Sequence, residues 1–132
     1  MLHMLDTDMA SYIIREHTPN IREKLATLLP SMLCISVMTR AELVYGLRRL
    51  PPDHRLHSAV RRFFKIVRAL PWESDAADFY ADIRHRLVST GQIIGEMDMM
   101  IAAHSMAIGA VLVTNNLKHY ERISGLSLVK WT

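Results

Sequence analysis

At 132 residues, with a net charge of +3 at pH 7, half of its residues hydrophobic and 22% charged, the chain has the balance of one globular domain spanning 1–132, which excludes a disordered, fibrous or low-complexity protein. No run approaches the roughly 18 apolar residues of a membrane span, and no basic segment leads into a long apolar one at the N-terminus, so a cytoplasmic protein that begins directly with structure is expected. The lone Cys34, within Met32-Leu33-Cys34-Ile35, excludes an internal disulfide and reads as a small core residue.

An apolar run from Met1 to Leu5, broken only by His3, predicts a first strand ending at Asp6. Met9, Tyr12 and Ile13 then recur at helical spacing, and Thr18-Pro19 opens a second helix that Pro30 ends. Leu33 to Ile35 predicts a short buried strand. Ser36 caps a helix that runs through Glu42 to about Arg49 and stops before Pro51-Pro52. Leu56, Val60, Phe63 and Val67 mark one face of a fourth helix, and Ala69-Leu70 a marginal strand. Ser74 caps a long helix carrying Ala76, Phe79, Ile83 and Leu87, with Gly91 at its end; another helix runs from about Asp98 to Ile108 and closes at Gly109. Ala110 to Thr114 is the clearest strand, followed by a short helix through Tyr120 and a last strand around Leu128 and Val129. Strands alternating with helices predict an α/β fold of three layers, with a twisted, mainly parallel sheet of four to five strands and helices on both faces.

Charge is unevenly spread. Between Arg48 and Arg68 seven cations, Arg48, Arg49, Arg55, Arg61, Arg62, Lys65 and Arg68, meet the single acid Asp53, and from Glu73 to Asp98 the balance reverses. A basic face beside an acidic region suits a polyanion, although helices also carry solvated charge outward. Four positions fall where they can reach the carboxyl edge of one sheet: Asp6, Glu42, Asp98 and Asn116. Asp6 has two readings, a cap for the following helix or a ligand at the strand edge. Crowded carboxylates raise one another's pKa values unless a cation sits among them. With no nearby cysteine and no histidine pair at ligand spacing, oxygen donors of this kind favour magnesium or manganese over zinc.

The segment Ile35-Ser36-Val37-Met38-Thr39-Arg40-Ala41-Glu42-Leu43-Val44-Tyr45-Gly46 resembles the S-x-x-T-x-x-E-L-x-x-G signature of PIN-domain ribonucleases, particularly the VapC toxins of bacterial VapBC toxin-antitoxin pairs. Leu5-Asp6-Thr7, the Asp98-x-x-Ile101-Ala102-Ala103 helix and Thr114-Asn115-Asn116 resemble the other motifs of that family, in order and across essentially the whole chain. The resemblance implies a PIN-like fold and a metal-dependent endoribonuclease that uses Mg2+, with Mn2+ as a substitute, to cut RNA, possibly tRNA, leaving a 5′-phosphate and a 3′-hydroxyl. It makes Asp6, Glu42 and Asp98 the metal-binding carboxylates, gives Asn116 and Thr114 catalytic places, and puts Arg48, Arg49, Arg61, Arg62 and Lys65 on the RNA backbone. Asn116 stands where many members carry a fourth aspartate, which puts a second metal in doubt; Asp8 and Glu96 are the compensators for the missing charge. Gathered into this site, Asp6 leaves the helix cap to Thr7 or Asp8. A VapB-type antitoxin, a homodimer and a larger toxin-antitoxin assembly are also implied, with an apolar groove around Tyr12, Ile13 and Ile21 for the antitoxin. Two rival functions remain: a haloacid-dehalogenase-type phosphatase using Asp6 and Asp8, and a non-catalytic nucleic-acid-binding module.

Overall fold

Short central strands whose successive residues are buried on both faces must meet helices on both sides, and that condition decides the architecture. A computed structural model describes residues 1–15 and 18–132. Strand β1 (His3–Leu5) leads into α1 (Thr7–Arg15) and α2 (Pro19–Ala26); a 3-10 turn (Pro30–Met32) precedes β2 (Leu33–Ser36), α3 (Val37–Arg48) and α4 (Leu56–Ile66). The chain continues with β3 (Arg68–Leu70), α5 (Ser74–Ser89), α6 (Glu96–Ala107), β4 (Val111–Val113), α7 (Leu117–Tyr120) and β5 (Leu128–Val129). All five strands pair in parallel in the order β3-β2-β1-β4-β5, as the α/β expectation required.

The pleat sorts the core into two halves. Leu5, Ile35 and Val113, partners in register, pack with Met9 and Ile13 of α1, Leu43 and Leu47 of α3, and Val60 and Phe63 of α4. Met4, Cys34 and Leu112, one residue earlier in the same register, pack on the other face against Ile83 and Leu87 of α5 and Met99 and Ala102 of α6. Burying each of the larger of these side chains contributes about 1.5–3 kcal/mol, so a one-residue slip of any central strand would exchange the two cores and is strongly disfavoured.

Several boundaries move. Strand β1 begins at His3, not Met1, which is exposed. Helix α2 stops at Ala26, before Pro30, because Thr27 closes it: its N–H reaches the carbonyls of Lys24 and Leu25, and its hydroxyl donates to the Lys24 carbonyl at 2.7 Å. Glu73, not Ser74, holds the cap position of α5. Helix α6 begins at Glu96 with Gly95 before it, so Asp98 lies in the first turn rather than opening the helix, where a carboxylate is favoured by the free amides. Gly91 and Gly109 do close α5 and α6, each with φ of +67°, the left-handed conformation that a side chain resists.

Sheet order places the site. From β1 the chain steps to β2 and β3 on one side, then returns to lay β4 and β5 on the other. The reversal falls between β1 and β4, and in open parallel sheets the crevice beyond the carboxyl ends at such a reversal is where ligands bind.

Candidate active site

Asp6 follows β1 and Thr114 follows β4, so the two residues flank the reversal point, and they meet there. The Thr114 hydroxyl donates to Asp6 Oδ2 at 2.6 Å, and the Met9 N–H donates to Asp6 Oδ1 at 2.8 Å. Asp6 is therefore itself the cap of α1, which corrects the expectation that Thr7 or Asp8 takes that duty: only the residue immediately before the helix can turn its carboxylate onto the amide three residues on. Thr114 is fully buried and also accepts from the Asn116 N–H at 3.0 Å, so a strand-end threonine has become the clamp that fixes Asp6.

This carboxylate is 3% exposed. Burial, followed by the charges of Asp8 and Asp98, raises its pKa to about 6, although the bonds from Thr114 and Met9 oppose the shift. Asp98, on the first turn of α6, is partly exposed and accepts from His119 Nε2 at 2.9 Å. The buried Tyr120 phenol stands beside the same acids; burial first, then the charges of Asp6 and Asp98, hold it protonated, and its hydroxyl is a donor toward Asp98.

Glu42 reaches the edge from α3. Ser36, Thr39 and Glu42 lie three residues apart, so they follow one side of the helix, and each does separate work. Ser36 Oγ accepts from the Met38 N–H at 3.1 Å and caps α3. Thr39 Oγ1 lies 3.1 Å from Thr7 Oγ1, which donates to Glu42 Oε1 at 2.5 Å. The carboxylate is thus aimed by the residue next to Asp6. Behind Ser36 the buried His104 bonds it through Nδ1 at 2.8 Å, while Nε2 completes no hydrogen bond. Burial lowers the His104 pKa, against a smaller opposing influence of the Pro71 carbonyl, so the ring is a neutral structural residue.

Asp8, exposed on α1, stands close enough to add its charge to Asp6 and Tyr120. Glu96 does not join them: its Oε1 accepts from Tyr80 at 2.8 Å and pairs with Arg84 at 3.3 Å, both on α5. Of the two compensators named from the sequence, the structure brings only Asp8 to the acids, because the first turn of α6 sends Glu96 and Asp98 to different sides. Asn116 is exposed at the start of α7 and its side chain makes no cap bond. Arg48, Arg49, Arg61, Arg62 and Lys65 are all exposed. Arg49 lines a groove of about 660 Å³ that also contains Thr7 and Glu42, whereas Arg62 rims an apolar groove of about 370 Å³ lined by Ile13, Ile14, Leu25, Leu29 and Ile66. Ile13 is common to that groove and the expected one, but Ile21 is sealed in the core and Tyr12 packs against it, so the open apolar surface lies further along α2 and α4.

His119 and Tyr120 were missed as site residues. The available signal was that both lie on the short helix that directly follows Asn116 and the strand-end Thr114.

Among the described residues, no three His, Cys, Asp or Glu side chains form a ready-made metal cage. Zinc sites normally need such a set, but Mg2+ keeps several waters and takes one or two carboxylates together with substrate phosphate. Carboxylate oxygens without sulfur, with no lysine or arginine among the described contacts to Asp6 and Asp98, fit a hard cation. The thiol of Cys34 is buried in β2 with its pKa pushed up to about 11.

Residues 3–126 match the family model for the PIN domain. The tRNA(fMet)-specific endonuclease VapC of Salmonella typhimurium is 37% identical over 97% of this chain and 96% of its own, and the ribonuclease VapC2 of Rickettsia felis is 33% identical over 99% and 98%. The chain belongs to the PIN-domain family, among its VapC ribonucleases. Solved structures agree over 100% of both chains: VapBC from Salmonella typhimurium bound to DNA at 35% identity and a TM-score of 0.93, and VapBC2 from Rickettsia felis with a promoter DNA fragment at 31% and 0.92.

Proposed function

We propose that this chain is the toxin of a VapBC-type pair, an endoribonuclease that hydrolyses RNA phosphodiester bonds with a divalent cation, tRNA being the substrate class suggested by the name of the Salmonella typhimurium relative. The observation that carries the reading is the pairing of Asp6 with Thr114 at the sheet's reversal point, with Asp98 and Asp8 beside it. Asp6 and Asp98 would hold the cation, with Glu42 aimed at the same edge by Thr7. A divalent cation held by these carboxylates would supply Lewis acidity for phosphate and water in the hydrolysis.

The chain's own residues do the rest. Thr114 and the Met9 amide stop Asp6 from rotating, His119 and Tyr120 restrict Asp98, and the fixed acids avoid reorganisation at the moment of reaction. The phosphatase reading is not favoured, since the PIN-domain match over residues 3–126 and the whole-chain relatives are those of nucleases. A non-catalytic module would have no use for this ordered acid edge beside the basic helices.

The antitoxin of the pair fits the apolar groove between α1, α2 and α4, where an amphipathic helix would cover exposed Leu29 and Ile66. No helix among the described residues is long and apolar enough to cross a membrane.

Incubation of the purified chain with total RNA and Mg2+ should give discrete fragments; chelation should stop the reaction and Mn2+ restore it. Fragmentation that persists in chelator would refute the reading. Exchanging both Arg61 and Arg62 for Gln should reduce the slope of log binding constant against log salt by about 1 to 2, one per lost phosphate contact. An unchanged slope would place the RNA away from α4.

A further inference from the structure

Tyr45 is the most exposed large aromatic of the chain, at 64%, and it is not on an arbitrary surface. It stands one turn of α3 beyond Glu42 and lines the groove of about 660 Å³ that contains Glu42 and Thr7 at the acid edge. Arg49, one turn further, places its guanidinium 5.2 Å from the centre of the Tyr45 ring and lines the same groove, as does Arg15 of α1. Gly46 meets no atom within 4 Å where a side chain would begin, so the groove is open beside the ring.

A groove that starts at Glu42 and Thr7 and carries an exposed ring with two arginines in its lining matches single-stranded nucleic acid: bases stack on aromatic faces while cations take the phosphates. We infer that Tyr45 and Arg49 form a stacking platform for a nucleobase adjoining the scissile phosphate, with Arg15 and Arg49 as its backbone contacts. This rests on the ribonuclease reading above and adds to it the form of the substrate: the cut strand must be unpaired at that nucleotide, because a base inside a duplex cannot lie on the ring. The pairing of Tyr45 with Arg49 holds the ring in place before RNA arrives, so little side-chain freedom is lost on binding.

The test is steady-state cleavage of total tRNA by the full chain and by Tyr45→Ala, Tyr45→Phe and Tyr45→Trp. Tyr45→Ala should raise KM about 5- to 150-fold, the range for one lost stacked base, with kcat and the thermal midpoint little changed. Phe and Trp should restore KM. Unchanged KM in Tyr45→Ala, or Phe behaving as Ala does, would overturn the platform. If Tyr45→Ala instead leaves the RNA constants untouched and weakens capture by a VapB-type antitoxin, the groove serves the protein partner and the inference again fails. Failure of the unsubstituted chain to cut any RNA would refute the ribonuclease reading itself, whereas normal cutting by Tyr45→Ala refutes the platform alone.

Discussion

Asp6→Asn is expected to abolish RNA cleavage while making the metal-free protein more stable at pH 7.5. The loss should be at least about 10²- to 10³-fold, the usual effect of removing one preorganised electrostatic group. The gain in stability follows from the sign of the pKa shift. Asp6 titrates at about 6 in the folded chain against 3.8 ordinarily, so the folded state holds the proton more tightly than the unfolded one. Stability then rises as pH falls from about 6 to about 4, and above pH 6 the ionised carboxylate costs about 3 kcal/mol, at 1.36 kcal/mol per pKa unit. A neutral Asn removes that cost but turns an NH2 toward Thr114, where a carboxylate oxygen accepted a bond, so the net gain should be about 1–2 kcal/mol. Thermal melts at pH 7.5 and 4.5 check this: the variant should lead at the higher pH and lose its advantage at the lower. A variant that melts lower at pH 7.5 would show that burial does not strain this carboxylate. With limiting metal, cleavage by the unsubstituted chain should decline as pH drops through about 6, because protonated Asp6 is no ligand.

Asp98→Ala should cost activity on the same scale yet leave stability almost unaltered. Asp98 is partly exposed, with 39% of its side chain in contact with solvent, so its charge is already solvated and its removal opens no cavity in the core. His119 and Tyr120 lose a partner, but water entering where the solvent-facing carboxylate stood can take its place for both, so the change should show in kinetics rather than as a lower melting point. Cleavage by Asp98→Ala within tenfold of the parent would remove Asp98 from the reaction, and a melting point lowered by more than a few degrees would mean that it holds α6 to α7 instead.

Most of this architecture was legible because the strands are short apolar runs punctuated by Asp6, Ser36 and Thr114, and glycines close the two long helices at 91 and 109. Glu42 and Asp98 could be named because motif and spacing agree. What spacing could not supply was direction. Glu96 and Asp98 differ by two residues on α6, about 200° around the helix axis, so one pairs with Arg84 and the other with His119. The bond between Asp98 and His119 spans 21 positions, and no local pattern announces it; only the packing of α6 back along β4 brings α7 to the start of α6. The double duty of Asp6 was hidden for a similar reason. A cap and a ligand leave the same mark in sequence, and only the two distances to Met9 and Thr114 show one carboxylate placed for both.

The central claim is that the acids at the β1–β4 reversal form a divalent-cation site. Calorimetric titration of Mn2+ into the metal-free chain at pH 7.5 tests it without RNA or turnover. Saturable binding is expected, with affinity lost when Asp6 and Asp98 are both changed to Asn. Equal Mn2+ affinity in the parent and the double variant would contradict the account.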